Sequence, residues 1–193
     1  YVDSMGYDLS LTRIAINPIK SVLKLMRSKG YHIFHTREGH RPDLSDLPVN
    51  KRWRSKQVGA GIGDDGPCGK ILIRGEPGWE IIDELKPVPG EPIIDKPGKG
   101  AFYSTELNSL LAEAGVETLI VAGVTTEVCV HSTVREAGDR GFSCLVVSDA
   151  CGSYFPNFHE VGLQMISAQG GLLGKVTTVG AVDEALMGIA AID

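Results

Sequence analysis

Cys129 is the residue that most directly offers covalent chemistry in this chain. It lies in residues 118–153, TLIVAGVTTEVCVHSTVREAGDRGFSCLVVSDACGS, where an apolar run at 119–122 is bounded by Gly123. A helical pattern begins near Thr126, and a second apolar run at 144–147 ends in Ser148 and Asp149. Run, helix and run are the pattern of a βαβ unit in a buried parallel sheet. In such sheets reactive side chains gather at the carboxyl ends of the strands, where helices begin. Cys129 falls about one turn into the helix, where free backbone N–H groups and the helix dipole favour a thiolate. A thiolate can attack an amide carbonyl and leave a thioester that water hydrolyses. The turn Val124-Thr125-Thr126 and the amide of Cys129 itself offer N–H donors for the oxyanion of the tetrahedral intermediates. Cysteine is also among the most buried residue types, so position alone is equally compatible with a packed, inert thiol.

Bulk properties exclude several other classes. The 193 residues can build a substantial core, and 42% hydrophobic with 22% charged residues is ordinary for a globular chain. A net charge of −5 gives no basic footprint for nucleic acid and no polybasic membrane anchor. No apolar stretch has the length of a spanning helix, and the N-terminus lacks a signal-peptide pattern. Cys68, Cys129, Cys144 and Cys151 have neither CxxC spacing nor the density of a disulfide scaffold, so a reducing cytoplasm is the expected location.

The elements that must position the cysteine follow from periodicity. After a turn-like start (YVDSMGY), a helix capped by Asp8 or Ser10 presents Ile14, Ile16, Ile19, Val22, Leu23 and Met26 and stops at Gly30, with Pro18 an alternative mark of its first turn. Residues 31–36 (YHIFHT) read as a buried strand. The segment 40–78 is rich in Gly, Pro, Asp and Arg and reads mostly as loop. It is too long for a plain connection, which argues for a functional insertion. A helical turn over 79–85, a short strand at Ile93-Ile94 running into Asp95-Lys96, and a helix over 102–114 with Ser104 as N-cap come next. Beyond Ser153, Asn157 caps a helix carrying Val161, Leu163, Met165 and Ile166 that stops at Gly170-Gly171. A strand at 176–179 and a helix at 181–192 close the chain. The expected fold is α/β, a doubly wound, mostly parallel sheet with helices on both faces, in one domain over residues 1–193.

The segment GVTTEVCV after an apolar strand resembles the nucleophile motif of the isochorismatase-like cysteine hydrolases. DKPGKGAFYSTEL, VREAGDRGF and VSDACGS are similar to further segments of that family, so the resemblance spans nearly the whole chain. It implies a three-layer Rossmann-type sandwich and a cofactor-free cysteine hydrolase, with Cys129 as nucleophile and a lysine several residues before an Ala-Phe pair. By that offset the lysine is Lys96 rather than Lys99. Lys96 also ends the Ile93-Ile94 strand, whereas Lys99 lies in a glycine-flanked turn and reads as solvated. The resemblance further implies a cis peptide between Val124 and Thr125 and an oxyanion hole made by the amides of Thr125 and Cys129. It places an aspartate on a first strand ahead of a YxDxxGYDLS-like run. That run stands here at residue 1, so Asp3 and Asp8 are not this aspartate, and the strand and its base are expected before residue 1.

Nicotinamidase-type members hold a metal on an Asp and two His after the second strand. His35, Arg37, Glu38 and His40 occupy that region, and a His/Glu/His group can bind zinc. The family's ligand spacing is not reproduced, so no metal is expected. His131, two positions past Cys129, is off its helical face and is not expected to act as base. Gln169, in SAQGG, resembles the glutamine by which the biuret-hydrolase branch contacts a ureido group; an amide can both donate and accept to C=O and NH2 groups. Val124, Tyr154 and Phe155 are further candidate pocket residues, while Arg52, Trp53 and Arg54 are lid or subunit-contact candidates. The reading that results is hydrolysis of a small linear amide of biuret or ureido type by a homo-oligomer, dimer or tetramer. A nicotinamidase-type ring-amide hydrolase and a non-catalytic binding module are the alternatives.

Overall fold

The computed structural model describes residues 5–190, leaving Asp3 outside the described residues. Two short helices open it, α1 (Ser10–Arg13) and α2 (Ile16–Ser28), where a single helix was expected. Asp8 Oδ1 accepts the Ser10 amide at 2.8 Å, as a residue preceding a helix does. The break falls at Ile14-Ala15, and Pro18 sits in the first turn of α2, where its missing N–H costs nothing. Ile14, expected on the apolar face, is 67% exposed, whereas Val22 and Met26 are buried.

Two parallel ladders carry the rest. Strand β1 (His35–Glu38) pairs with β4 (Ile93–Lys96), setting Glu38 opposite Lys96 in the last register position. Strand β5 (Thr118–Val124) pairs with β6 (Ser143–Gly152), and β6 with β7 (Lys175–Thr177). Among the described residues no ladder joins β1 to β5, and the parallel strands form two pieces. Strand β1 starts four residues later than the 31–36 run suggested; its ladder begins where the His35 amide reaches the Pro92 carbonyl at 2.9 Å.

The segment 40–78 is more structured than a loop. It contains helix α3 (Val49–Gln57) and a tight antiparallel pair, β2 (Asp65–Gly66) with β3 (Gly69–Lys70). Helix α4 covers only Leu107–Glu113, because Ser104 takes a left-handed φ of 53° and cannot cap a helix starting there. After β6 come α6 (Pro156–Gly171) and, after β7, α7 (Val179–Ala190). Pro156, rather than a capping Asn157, marks the start of α6.

Alternation along β6 divides the core. Val146 faces a cluster with Leu107, Leu111, Val134 and Ile166, while Val147 faces α2 and α7 through Val22, Met26 and Val182. Each fully buried aliphatic side chain here is worth roughly 1.5–3 kcal/mol. Helices on both faces of parallel strands make an α/β fold. Among the described residues no helix is long and apolar enough to cross a membrane.

One partly buried ion pair ties α2 to this framework. Glu91 accepts Arg27 Nε at 2.7 Å and Nη2 at 2.8 Å, the Val88 amide at 3.0 Å, and contacts His35 Nε2 at 2.7 Å. Chiefly because of the Arg27 hydrogen bond, its carboxyl is pushed down to about 2 from an ordinary 4.5. A depressed carboxyl stabilises the fold above its unfolded value, and that contribution is lost as pH falls from about 4.5 through about 2. Glu91→Gln is therefore expected to cost about 2–3 kcal/mol at pH 7 in urea denaturation. The gap from the parent protein should close at pH 2.

Candidate active site

The turn that carries Cys129 starts as strand β5 ends. Val124-Thr125 is a cis peptide, and residues Thr126–Val130 form one π-helical turn before α5 (His131–Gly138) continues as an ordinary helix. The Val128 and Val130 amides, each at 3.2 Å, converge on the Thr125 carbonyl. Such π turns mark helices bent to place a side chain. Thr126, fully buried, anchors the turn: its hydroxyl lies 3.2 Å from the Gly152 carbonyl at the end of β6 and 2.7 Å from His159 Nδ1 on α6. Thr133 Oγ1 donates to the Cys129 carbonyl at 2.7 Å. The sulfur is thus carried by a turn pinned to a strand and two helices.

Around it stands a cluster of charge. Lys96 Nζ lies 3.5 Å from Cys129 Sγ, and Glu38 Oε2 lies 3.8 Å from the same sulfur. Lys96 is 3% exposed and donates to the carbonyls of Gly98 at 3.0 Å and Lys99 at 2.7 Å, with Glu38 at 3.8 Å. Glu38 also holds Lys51 at 2.7 Å and Lys99 at 2.9 Å. Burial alone would raise the Glu38 carboxyl; the Lys99 and Lys51 ammoniums, helped by Lys96, more than reverse this and hold it below the usual carboxylate range. Lys51 is pushed down, first by burial and then by repulsion from Lys99 and Lys96, against the attraction of Glu38.

The loop bearing Lys96 and Lys99 is itself fastened to the helix that follows Cys129. Glu136 on α5 accepts the Phe102 amide at 2.9 Å, and a Cβ on Gly100 would meet that carboxylate at 2.2 Å. A side chain at Gly100 would have to push the Glu136 carboxylate off the Phe102 amide. The other cysteines are chemically apart. Burial pushes the Cys144 thiol up to about 11 and the Cys151 thiol up to about 12, and Cys68 is exposed.

The structure brings Cys129, Lys96, Thr125 and Val124 to one place; Val124 is 45% exposed beside the turn. Tyr154 and Phe155 join an aromatic group, with Tyr7 stacked on Tyr154 at 4.9 Å and edge-on to Phe155 at 5.3 Å. Gln169 is exposed in a left-handed kink of α6, and no hydrogen bond links it to the cysteine cluster among the described residues. Arg52, Trp53 and Arg54 are exposed on α3, while their neighbour Lys51 turns inward to Glu38. Lys99, expected in solvent, is instead ion-paired.

Glu38 is the residue that sequence reasoning placed in a metal group rather than beside the sulfur. Its signal was a charge ending a strand, matched in register by Lys96. The candidate metal residues do not converge. His35 engages Glu91, His40 Nδ1 lies 3.2 Å from Asp46, and among the described residues no three His, Cys, Asp or Glu side chains form a metal-sized group. His131 receives Arg135 Nε on Nδ1 at 3.2 Å, away from the sulfur. A hollow of about 470 Å³ lined by Arg41, Asp46, Arg74, Asp95 and Tyr103 does not include Cys129. Asp95 and Lys96 are consecutive strand residues and point to opposite faces, so the hollow and the cysteine cluster lie on different sides of β4.

A sequence profile of the isochorismatase domain matches residues 3–179. The chain belongs to the isochorismatase family. A ureidoacrylate amidohydrolase of Caulobacter segnis is 31% identical over 161 residues, which cover 82% of this chain and 67% of the relative. One from Methylorubrum extorquens is 29% identical over 190 residues, covering 96% and 75%. An isochorismatase family protein from Desulfovibrio vulgaris superposes with a TM-score of 0.75 at 29% identity, over 90% of this chain and 84% of that one. A cysteine hydrolase from Pseudomonas syringae gives 0.78 at 25% identity, over 92% and 82%. The family resemblance and α/β architecture read from GVTTEVCV and its flanking segments are thus borne out.

Proposed function

We propose that this isochorismatase-family chain is a cysteine-dependent amidohydrolase that cleaves a C–N bond of a small linear amide, of ureido or biuret type, through a thioester. Its class, a hydrolase of carbon–nitrogen bonds other than peptide bonds, is that of the ureidoacrylate amidohydrolases it resembles. The observation that carries the reading is Cys129 Sγ on the first turn of a helix, with an ammonium at 3.5 Å and a carboxylate at 3.8 Å.

In this scheme Glu38, held as the anion 3.8 Å from the sulfur, takes the part that the resemblance gives to an aspartate expected before residue 1 and accepts the thiol proton, while Lys96 stabilises the sulfur as it gains charge. The thiolate adds to the carbonyl carbon, and the amides of Thr125 and Cys129 take the oxyanion. Collapse expels the amine with the proton that Glu38 returns. Water, deprotonated by the same carboxylate, then releases the acid and restores the thiol. Val124, Tyr154, Phe155 and Gln169 line the approach in this reading. Self-association fits the exposed apolar stripe of Phe158, Val161 and Met165 on α6. The nicotinamidase alternative draws no support from the histidines, which are committed to separate carboxylates.

The test is an ammonia-release screen over biuret, ureido acids, carbamoylated amines and nicotinamide, with mass analysis of the Cys129 peptide during turnover. Linear ureido substrates should turn over at least about tenfold faster than nicotinamide and leave an acyl adduct on Cys129. A faster ring amide, or an adduct on another residue, would overturn the proposal.

A further inference from the structure

We propose that His159 is a positioning residue for the reaction: through the Thr126 hydroxyl it sets where the turn bearing Cys129 stands. The inference rests on the reading of Cys129 as the nucleophile of amide hydrolysis and adds to it a residue acting at one remove from the sulfur. Thr126 opens the five-residue π turn that carries Cys129, and it is fully buried. Its hydroxyl has one proton and two neighbours, the Gly152 carbonyl at 3.2 Å and His159 Nδ1 at 2.7 Å. A carbonyl can only accept, so a single arrangement makes both contacts hydrogen bonds at once. In it Thr126 donates to Gly152, and His159 donates from Nδ1 to Thr126. The opposite tautomer would draw the hydroxyl proton to the ring and release the turn from the buried end of β6.

The start of α6 puts the ring in place. The His159 amide donates to the Phe155 carbonyl at 3.1 Å, and the Phe155 amide donates to Ser153 Oγ at 3.1 Å, so the imidazole stands on a hydrogen-bonded turn that begins just after β6. Gly162 and Ile166, three and seven positions further on, continue the same inward face. Ile166 is fully buried, and a Cβ on Gly162 would lie 3.5 Å from the Thr126 methyl. Helix α6 therefore lies against the turn and offers it the imidazole as a donor. Beyond the sulfur, Thr133 Oγ1 donates to the Cys129 carbonyl at 2.7 Å. A π turn departs from regular helix, and one side-chain hydroxyl before the sulfur and one after it hold this departure in shape. The Thr125 and Cys129 amides assigned to the oxyanion belong to the same turn. Loosening Thr126 should therefore weaken the transition state more than substrate binding.

The test is a double-mutant cycle in the full chain with Cys68→Ser, which removes the exposed thiol. Each variant is assayed for kcat and KM on the best ureido substrate, for the rate of Cys129 alkylation by iodoacetamide, and for stability in urea. His159→Leu should lower kcat about tenfold, the scale of one hydrogen bond, with KM within about threefold. Alkylation should slow about threefold as the sulfur drifts from Lys96. His159→Asn, whose amide takes the place of Nδ1, should recover most of kcat. His159→Gln, whose amide reaches the place of Nε2, should not, although it suits a helix better. Thr126→Val keeps the shape and loses the hydroxyl, so it should lower kcat at least as much as His159→Leu. Adding His159→Leu to it should then change kcat by less than about twofold. A ring that served only as packing would give Asn no advantage over Gln and would add its loss in full to that of Thr126→Val. That result, or parental kcat and alkylation in a folded His159→Leu protein, would overturn the positioning role while leaving amide hydrolysis standing. The expected alkylation pattern with no ammonia from the parent protein would sink the hydrolysis reading instead.

Discussion

Replacing Cys129 by alanine should lower ammonia release from the best ureido substrate by at least about 10⁴-fold, the scale on which removal of a covalent nucleophile acts. Water attacking directly would have to replace a sulfur that sits within reach of both Lys96 and Glu38. The loss should fall on kcat, because the carbonyl would still meet the same amides of the Thr125–Cys129 turn. Stability should change by less than about 1 kcal/mol, since Cys129 is only half-buried and leaves no large cavity. Cys129→Ser should remain nearly as inactive, because a serine hydroxyl is far harder to ionise than a thiol. Continuous ammonia assay together with urea denaturation of the same preparations checks both halves. Unchanged turnover in a folded Cys129→Ala protein would remove the amidohydrolase proposal.

Glu38→Gln should produce the other large effect, and it should appear in two observables at once. Activity should fall about 10²–10⁴-fold, as for loss of a general base. Stability should fall by about 2–4 kcal/mol, because Lys96 and Lys51 would stay buried without their counter-charge. The sign of the pH dependence follows from the depressed Glu38 carboxyl. The parent's ion cluster contributes fully above the ordinary carboxylate value of 4.5 and is lost as pH falls through the lower folded value. The parent and Glu38→Gln melting temperatures should therefore differ most near neutrality and converge in acid. Glu38→Asp should recover part of the stability, and less of the rate, since its shorter arm withdraws the carboxylate from a sulfur already at 3.8 Å. A Gln variant that is destabilised yet fully active would reduce Glu38 to a counter-ion.

The βαβ unit was readable because its signals are local. The apolar runs at 119–122 and 144–147, set on either side of a helical pattern, read as strands of a parallel sheet, and Cys129 falls where such a strand hands over to a helix. Lys96 was reached through the family resemblance, by its offset to Ala101-Phe102, and it lies 3.5 Å from the sulfur. What escaped depends on contacts distant along the chain. Glu38 and Lys51 meet 13 positions apart, and Glu38 meets Lys99 61 positions apart, with nothing in either neighbourhood to announce a partner. Helix α3 was hidden because VNKRWRSKQ has no apolar stripe; it shows the interior one buried residue, Ser55, and one inward lysine. The π turn escaped because five residues of it read like any helix start. The shortfall of α4 hangs on one backbone angle at Ser104 that composition does not signal.

The fastening of the lysine loop to the helix after Cys129 has a further bearing on the reaction. Lys96 ends one strand, whereas Cys129 follows another. The separation between sulfur and ammonium therefore depends on what holds the loop after Lys96 against helix α5. Contacts between them, such as Glu136 gripping the Phe102 amide, act as alignment pins. A variant that slackened one of them would detune the reactive pair while every strand and helix stayed intact.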